Sequence, residues 1–228
     1  MPGLTFLGHG AFQMDCEKAS LVIDPFITGN PHATVKPEEI KVGYVLLTHG
    51  HPDHLGDGIE IARKNDATII APFELATYCE RHGVKVHPMH IGGAHDFPFG
   101  RVKLTIAFHG SGYPTDDGIL YMGNPCGFLI SAGGKTVYHA GDTGLFYDMK
   151  LIGEMNRVDA ALLPIGGNFT MDIDDAVKAA ELLQAKLSIP MHYGTFDVIA
   201  ADPAEFEKKI GEKGMKAKVL KVGERLTI

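Results

Sequence analysis

The sequence predicts an α/β fold, with short strands and amphipathic helices alternating through both halves of its 228 residues. Two observations lead there. Short apolar, β-branched runs recur between turn-forming segments, as strands of a packed sheet do. Between several of them lie stretches whose apolar residues repeat at helical spacing. Strands are predicted at Leu4–Leu7, Leu21–Ile23, Val42–Leu47, Thr68–Ile70, Val84–Val86 and Val102–Phe108. Helices are predicted over Asp57–Lys64 and Phe73–Arg81. Further strands follow at Gly127–Ser131 and Thr136–Tyr138, joined by Ser131-Ala132-Gly133-Gly134-Lys135, whose glycines supply the positive φ of a tight hairpin turn. Ala160–Leu163, Leu187–Ile189 and Lys218–Lys221 complete the strands. Asp174–Lys186 reads as a helix with acids in its first turn and a stripe from Ala176 to Leu183. Asp202-Pro203 opens another, with Asp as N-cap and Pro at the first helical position.

No low-complexity linker, long charge block or internal repeat divides the chain, so residues 1–228 read as one domain. The formal charge of −7 speaks against a nucleic-acid surface, which is usually basic. Cys16, Cys79 and Cys126 lack paired spacing, which suggests reduced thiols in a cytoplasmic protein. The opening residues have no signal-peptide pattern, and no apolar run reaches the roughly 20 residues that span a bilayer. A small-molecule substrate is therefore expected rather than nucleic acid or a membrane. No exposed stripe compels a homo-oligomer.

The segment Thr48-His49-Gly50-His51-Pro52-Asp53-His54 concentrates three imidazoles and a carboxylate just after the Val42–Leu47 strand. These are ligands for zinc or a similar divalent ion, and strand ends hold such groups rigidly. Further donors stand in similar settings. His109 closes the alternating run Val102, Leu104, Ile106, Phe108; Asp142 lies in Gly-Asp-Thr-Gly after Thr136–Tyr138; His192 follows Leu187–Met191 in Met-His-Tyr-Gly-Thr-Phe. Each is followed at once or within two residues by glycine, which lets the backbone turn sharply and approach an ion closely.

With these motifs in their order, the chain resembles the metallo-β-lactamase superfamily, and most closely its small metal-dependent hydrolase branch. Leu7-Gly8-His9-Gly10, Ile23-Asp24-Pro25-Phe26, Leu163–Gly167 and Asn168–Met171 strengthen the resemblance, which covers essentially the whole chain. It implies a four-layer αββα sandwich, two mixed sheets flanked by helices. It also implies two divalent metal ions, with zinc favoured and manganese or nickel as alternatives. His49, His51 and His109 would hold the first ion, Asp53, His54 and His192 the second, and Asp142 would bridge them. His51 stands where the diiron relatives carry glutamate, which argues against iron redox chemistry.

The activity implied is hydrolysis of a small ester, lactone or related bond by a bridging hydroxide, with Asp53 and Asp142 orienting it. The alternatives are a phosphodiesterase acting on nucleotide or phospholipid-like substrates, and an iron-dependent redox enzyme on the same fold. Asp24 is expected to support the metal loop rather than touch metal. His9 stands between a structural role and a place beside the metals as substrate contact or proton donor. His139 should point away from Asp142, and the remaining histidines carry no metal spacing. The pocket wall is expected from Gly110–Asn124, Asn168–Asp172 and Tyr193–Phe196; its first loop carries neither Arg nor Lys.

Overall fold

The computed structural model describes residues 1–228. Six of the seven strands of the first sheet come first in the chain: β1 (Gly3–Gly8), β2 (Ala11–Asp15), β3 (Ser20–Ile23), β4 (Tyr44–Leu46), β5 (Thr68–Pro72) and β6 (Lys85–Met89). Helices α1 (Pro52–Leu55), α2 (Gly58–Asn65) and α3 (Phe73–Arg81) lie in the connections that follow β4 and β5. The chain then crosses to the second sheet through β7 (Ala94–Phe97) and β8 (Gly100–Ile106). A separate hairpin, β9 (Gly112–Thr115) and β10 (Gly118–Tyr121), precedes β11 (Cys126–Ala132) and β12 (Lys135–His139). Helix α4 (Met149–Met155), β13 (Ala160–Pro164), α5 (Ile173–Leu183), β14 (Ser188–Met191) and α6 (Pro203–Glu212) follow, and β15 (Arg225–Thr227) returns to the first sheet. The sheet orders are β15-β1-β2-β3-β4-β5-β6 and β14-β13-β12-β11-β8-β7. Both are mixed: β3 to β6 and β12 to β14 pair in parallel, the other neighbours antiparallel.

Side-chain alternation explains the layering, because successive residues of a strand face opposite sides of the sheet. Leu46 and Ile70 of the first sheet join Leu104, Phe128, Ile130 and Leu162 of the second in the core between the sheets. Their neighbours Val45 and Ile69 turn outward onto Ile61, Leu75 and Cys79 of α2 and α3. On the far side, Leu129, Tyr138, Ala161 and Leu163 meet Met149, Val177, Leu183 and Phe206 of α4, α5 and α6. The result is the four-layer αββα sandwich. No helix is long and apolar enough to cross a membrane, and all three cysteines are free.

Elements with a local cause match their predicted places. Asp202 caps α6 by accepting from the Ala204 amide, with Pro203 at the first helical position. Helix α3 spans the predicted Phe73–Arg81. Elsewhere the structure corrects the expectation. Helix α5 stops at Leu183, because Gln184 adopts a left-handed conformation at φ 50°. Strand β4 is shorter than Val42–Leu47. Strand β8 ends at Ile106, so Phe108 lies beyond it, 60% exposed. Lys218–Lys221 forms no strand; the pairing there is a single bridge between Ser188 and Ala217. Strands β2, β7 and β15, the β9–β10 hairpin and helices α1 and α4 lie outside the predicted elements.

Candidate metal centre

The candidate ligands gather at one edge of the sandwich, on the segments that follow β4, β8, β12 and β14, with Asp53 and His54 inside α1. Ligands gather in such crevices because the strand's last residues are held by the sheet while the following loop is free to turn. The loop from Thr48 to His51 leaves β4 and enters α1 with Pro52 at its start. Gly56 ends that helix at φ +43°, where a Cβ would stand 2.5 Å from the Pro25 carbonyl oxygen. Asp142 follows β12 through Gly141, at φ +65°, whose Cβ would stand 2.5 Å from the Cys126 oxygen. His9, Asp24 and His192 are themselves in the left-handed region, at φ 56°, 44° and 56°. Such strain in non-glycine residues persists only where surrounding contacts impose it, and here all three lie in or beside one cluster.

His49 Nε2, His51 Nδ1 and His109 Nε2 form one group: His51 Nδ1 is 2.9 Å from His49 and 3.3 Å from His109. Asp53, His54 and His192 form a second, together with His9. Asp142 lies between them. Its carboxylate is 3.3 Å from His54 Nε2, 3.5 Å from His109 Nε2 and 2.9 Å from His192 Nε2. All seven candidate ligands thus converge.

Asp24 sets the orientation of two of these imidazoles. It accepts from the Thr48 amide at 2.8 Å, from the Thr48 hydroxyl at 2.5 Å and from His54 Nδ1 at 2.8 Å. The Thr48 proton is thereby used, so Thr48 Oγ1 can only accept from His49 Nδ1, 2.9 Å away. Both rings therefore turn Nε2, rather than Nδ1, toward the cluster. Burial alone would disfavour charge on His54, but the Asp142 and Asp24 carboxylates outweigh it and raise its pKa. Burial pushes His49, His51 and His109 down, keeping them neutral as metal ligation requires.

The donor set fits a cation. His54 Nε2, Asp142 Oδ1 and both ring nitrogens of His192 are buried without a hydrogen-bond partner. Each such atom costs about 1–3 kcal/mol if left bare. Imidazole nitrogens and carboxylates at this density suit zinc and its neighbours better than magnesium or calcium, which prefer all-oxygen shells.

His9 is 2% exposed, and burial lowers its pKa to about 4. Asp53 Oδ2, 3.1 Å from His9 Nε2, can only accept, so the single ring proton sits on Nε2 and Thr195 Oγ1 donates to Nδ1 at 2.8 Å. Burial disfavours the charge of Asp53, yet the His9 hydrogen bond and the field of His54 outweigh it and hold its carboxyl below the usual range. His139 touches no candidate ligand. It accepts from the Gly141 amide at 3.1 Å and donates to the Gly10 carbonyl at 2.9 Å, tying the Asp142 turn to the His9 turn.

A family model described as a beta-lactamase superfamily domain matches residues 20–193. The chain belongs to the metallo-β-lactamase superfamily. All seven candidate ligands fall inside the matched span, whereas His9 and Thr195 lie outside it. A UPF0173 metal-dependent hydrolase of Carboxydothermus hydrogenoformans is 54% identical over 225 residues, 99% of each chain. One from a Geobacillus species is 56% identical over 226 residues, again 99% of each. Among solved structures, the metallo hydrolase Igni18 of Ignicoccus hospitalis is similar with a TM-score of 0.91 and 39% identity, over 100% of this chain and 98% of that one. An isothiocyanate hydrolase from Delia radicum gut bacteria shares the fold, with a TM-score of 0.79 at 20% identity over 99% of this chain and 98% of that one. The protein is a metal-dependent hydrolase of the superfamily.

Sequence reasoning missed the hydroxyls that orient this superfamily site: Thr48, Thr195, Ser111, which accepts from the Gly50 amide, and Thr143, which accepts from the Phe108 amide. Thr48 and Thr143 are chain neighbours of His49 and Asp142, a signal that was available. Asp24→Asn should lower metal affinity about 10- to 100-fold, since it disturbs the partner of two ligands rather than a ligand. Titration against a chelator checks this; unchanged affinity would show that Asp24 does not set the ligand geometry.

Proposed function

We propose that the protein hydrolyses a small uncharged ester, lactone or related bond at a centre of two divalent ions, zinc foremost with manganese or nickel as alternatives. His49, His51 and His109 would hold one ion, Asp53, His54 and His192 the other, with Asp142 between. The observation that carries this reading is the Asp142 carboxylate, within 3.5 Å of a nitrogen from each histidine group. Divalent ions bound here supply water acidic enough to attack near neutral pH and a positive charge that polarises the substrate oxygen. Asp53 is the more open carboxylate, its side chain 27% exposed against 3% for Asp142. It accepts the hydrogen bond of the attacking water and directs it at the substrate, while the His9 N–H holds Asp53 in place. Asp142, out of solvent, keeps the two ligand groups in register.

Elemental analysis of protein purified without added metal, followed by a panel of esters, lactones and phosphodiesters, tests this. About two zinc or manganese ions per chain with ester or lactone turnover supports it; His9→Ala should keep that metal content and lose turnover. Predominant iron, or turnover confined to phosphodiesters, would overturn it.

A further inference from the structure

We infer that Phe26 and Phe196, on the rim beside Asp53, His54 and His192, form an apolar subsite for the uncharged acyl or aryl group of the substrate. The inference rests on the hydrolase reading above and narrows its substrate class. Both rings stand edge-on to the His9 imidazole, their centroids 5.6 and 5.7 Å away, and they lie 6.3 Å from each other. Neither position is incidental. Phe26 follows the strained Asp24 backbone and packs over Gly29. Phe196 follows Thr195, which is bonded to His9, and its carbonyl accepts the Ile199 amide at 3.0 Å. The residue is nonetheless 40% exposed.

Charge points the same way. Segments 24–32, 49–57, 108–124, 142–147, 164–172 and 191–202 make up the ligand-bearing edge, and none contains Lys or Arg. They do contain Asp53, Asp57, Asp116, Asp117, Asp172 and Asp197 among others. Lys221 borders a cavity that reaches His9 together with Tyr193 and Leu220 but includes neither Phe26 nor Phe196 and none of the seven ligands. Away from the metal ligands an anionic group would meet rim carboxylates with no Lys or Arg to pair with, whereas an apolar one covers the open face of Phe196.

The test uses p-nitrophenyl acetate, hexanoate and hemisuccinate with the metal-loaded protein and with Phe196→Ala. Wild-type kcat/KM should rise about tenfold from acetate to hexanoate, each methylene being worth at most about fourfold when fully buried. It should fall at least about tenfold for the hemisuccinate. Phe196→Ala should lower the hexanoate-to-acetate ratio of kcat/KM about tenfold, chiefly through KM for the hexanoate. A second readout is independent of catalysis: calorimetric binding of N-phenylhexanamide, expected about tenfold weaker in Phe196→Ala. Anilide binding of that pattern without turnover of any ester would sustain the subsite while removing the proposed reaction. Esters turned over with no chain-length preference, or anilide binding indifferent to Phe196→Ala, would overturn the subsite.

Discussion

Asp142→Ala should lower turnover by at least about a thousandfold and reduce metal content from about two ions per chain toward one. Losing a single preorganised electrostatic group at a reacting centre costs about 10²–10³ in rate, and Asp142 contacts His54, His109 and His192 together. Its removal therefore takes a direct contact from both histidine groups at once, whereas Asp24 reaches His54 only at Nδ1 and His49 only through Thr48. Elemental analysis beside kinetics on the most active ester separates the two consequences. A variant retaining two ions and more than a tenth of wild-type turnover would show that Asp142 is not the shared carboxylate. Asp142→Asn keeps the volume and removes the charge, so matching losses in both variants would assign the effect to charge rather than to a packing defect.

Chelation should lower the melting temperature by about 10 °C, with recovery on adding zinc. Metal binds the assembled site and not the dispersed ligands, so it stabilises by about 4 kcal/mol when its free concentration is a thousandfold above Kd. For a chain of this size, 1 kcal/mol shifts the melting temperature by about 2–4 °C. The apo protein must hold buried Asp24 and Asp142 beside the partnerless nitrogens of His54 and His192, and that penalty disappears when a cation sits among them. Thermal melts with and without chelator measure the difference. An unchanged melting temperature would mean that the cluster is stable without metal and that its orphaned atoms find other partners.

The parts of the fold that could be read from sequence are those with a local cause. Asp202-Pro203 starts a helix because the cap and the fixed φ of proline act within one turn. Gly133 and Gly134 form the β11–β12 turn through their own positive φ, 56° and 75°. The misses depend on distant partners. Val219 and Leu220 look like strand residues, yet no neighbouring strand offers them a ladder, and only Ser188 and Ala217 bridge. Strand β15 is largely exposed and exists because Gly3, Leu4 and Thr5 present an edge to Arg225–Thr227. Gln184 ends α5 in a conformation its residue type seldom adopts.

The site divides the same way. Residue types and spacing by themselves determined the α/β class and the candidate ligands, because His-x-His-x-Asp-His after a strand and Gly-Asp-Thr-Gly after another are local chemistry. Only the tertiary structure decided how His54, His9 and His139 are turned, since the bonds that orient them join residues far apart in the chain: Asp24 to His54, Thr195 to His9, Gly10 to His139. It alone also brought Phe26 beside Phe196. A tautomer depends on the partner at the other nitrogen, and a subsite on which rings share a rim. Neither is a property of a segment, so both emerge when two sheets close against each other.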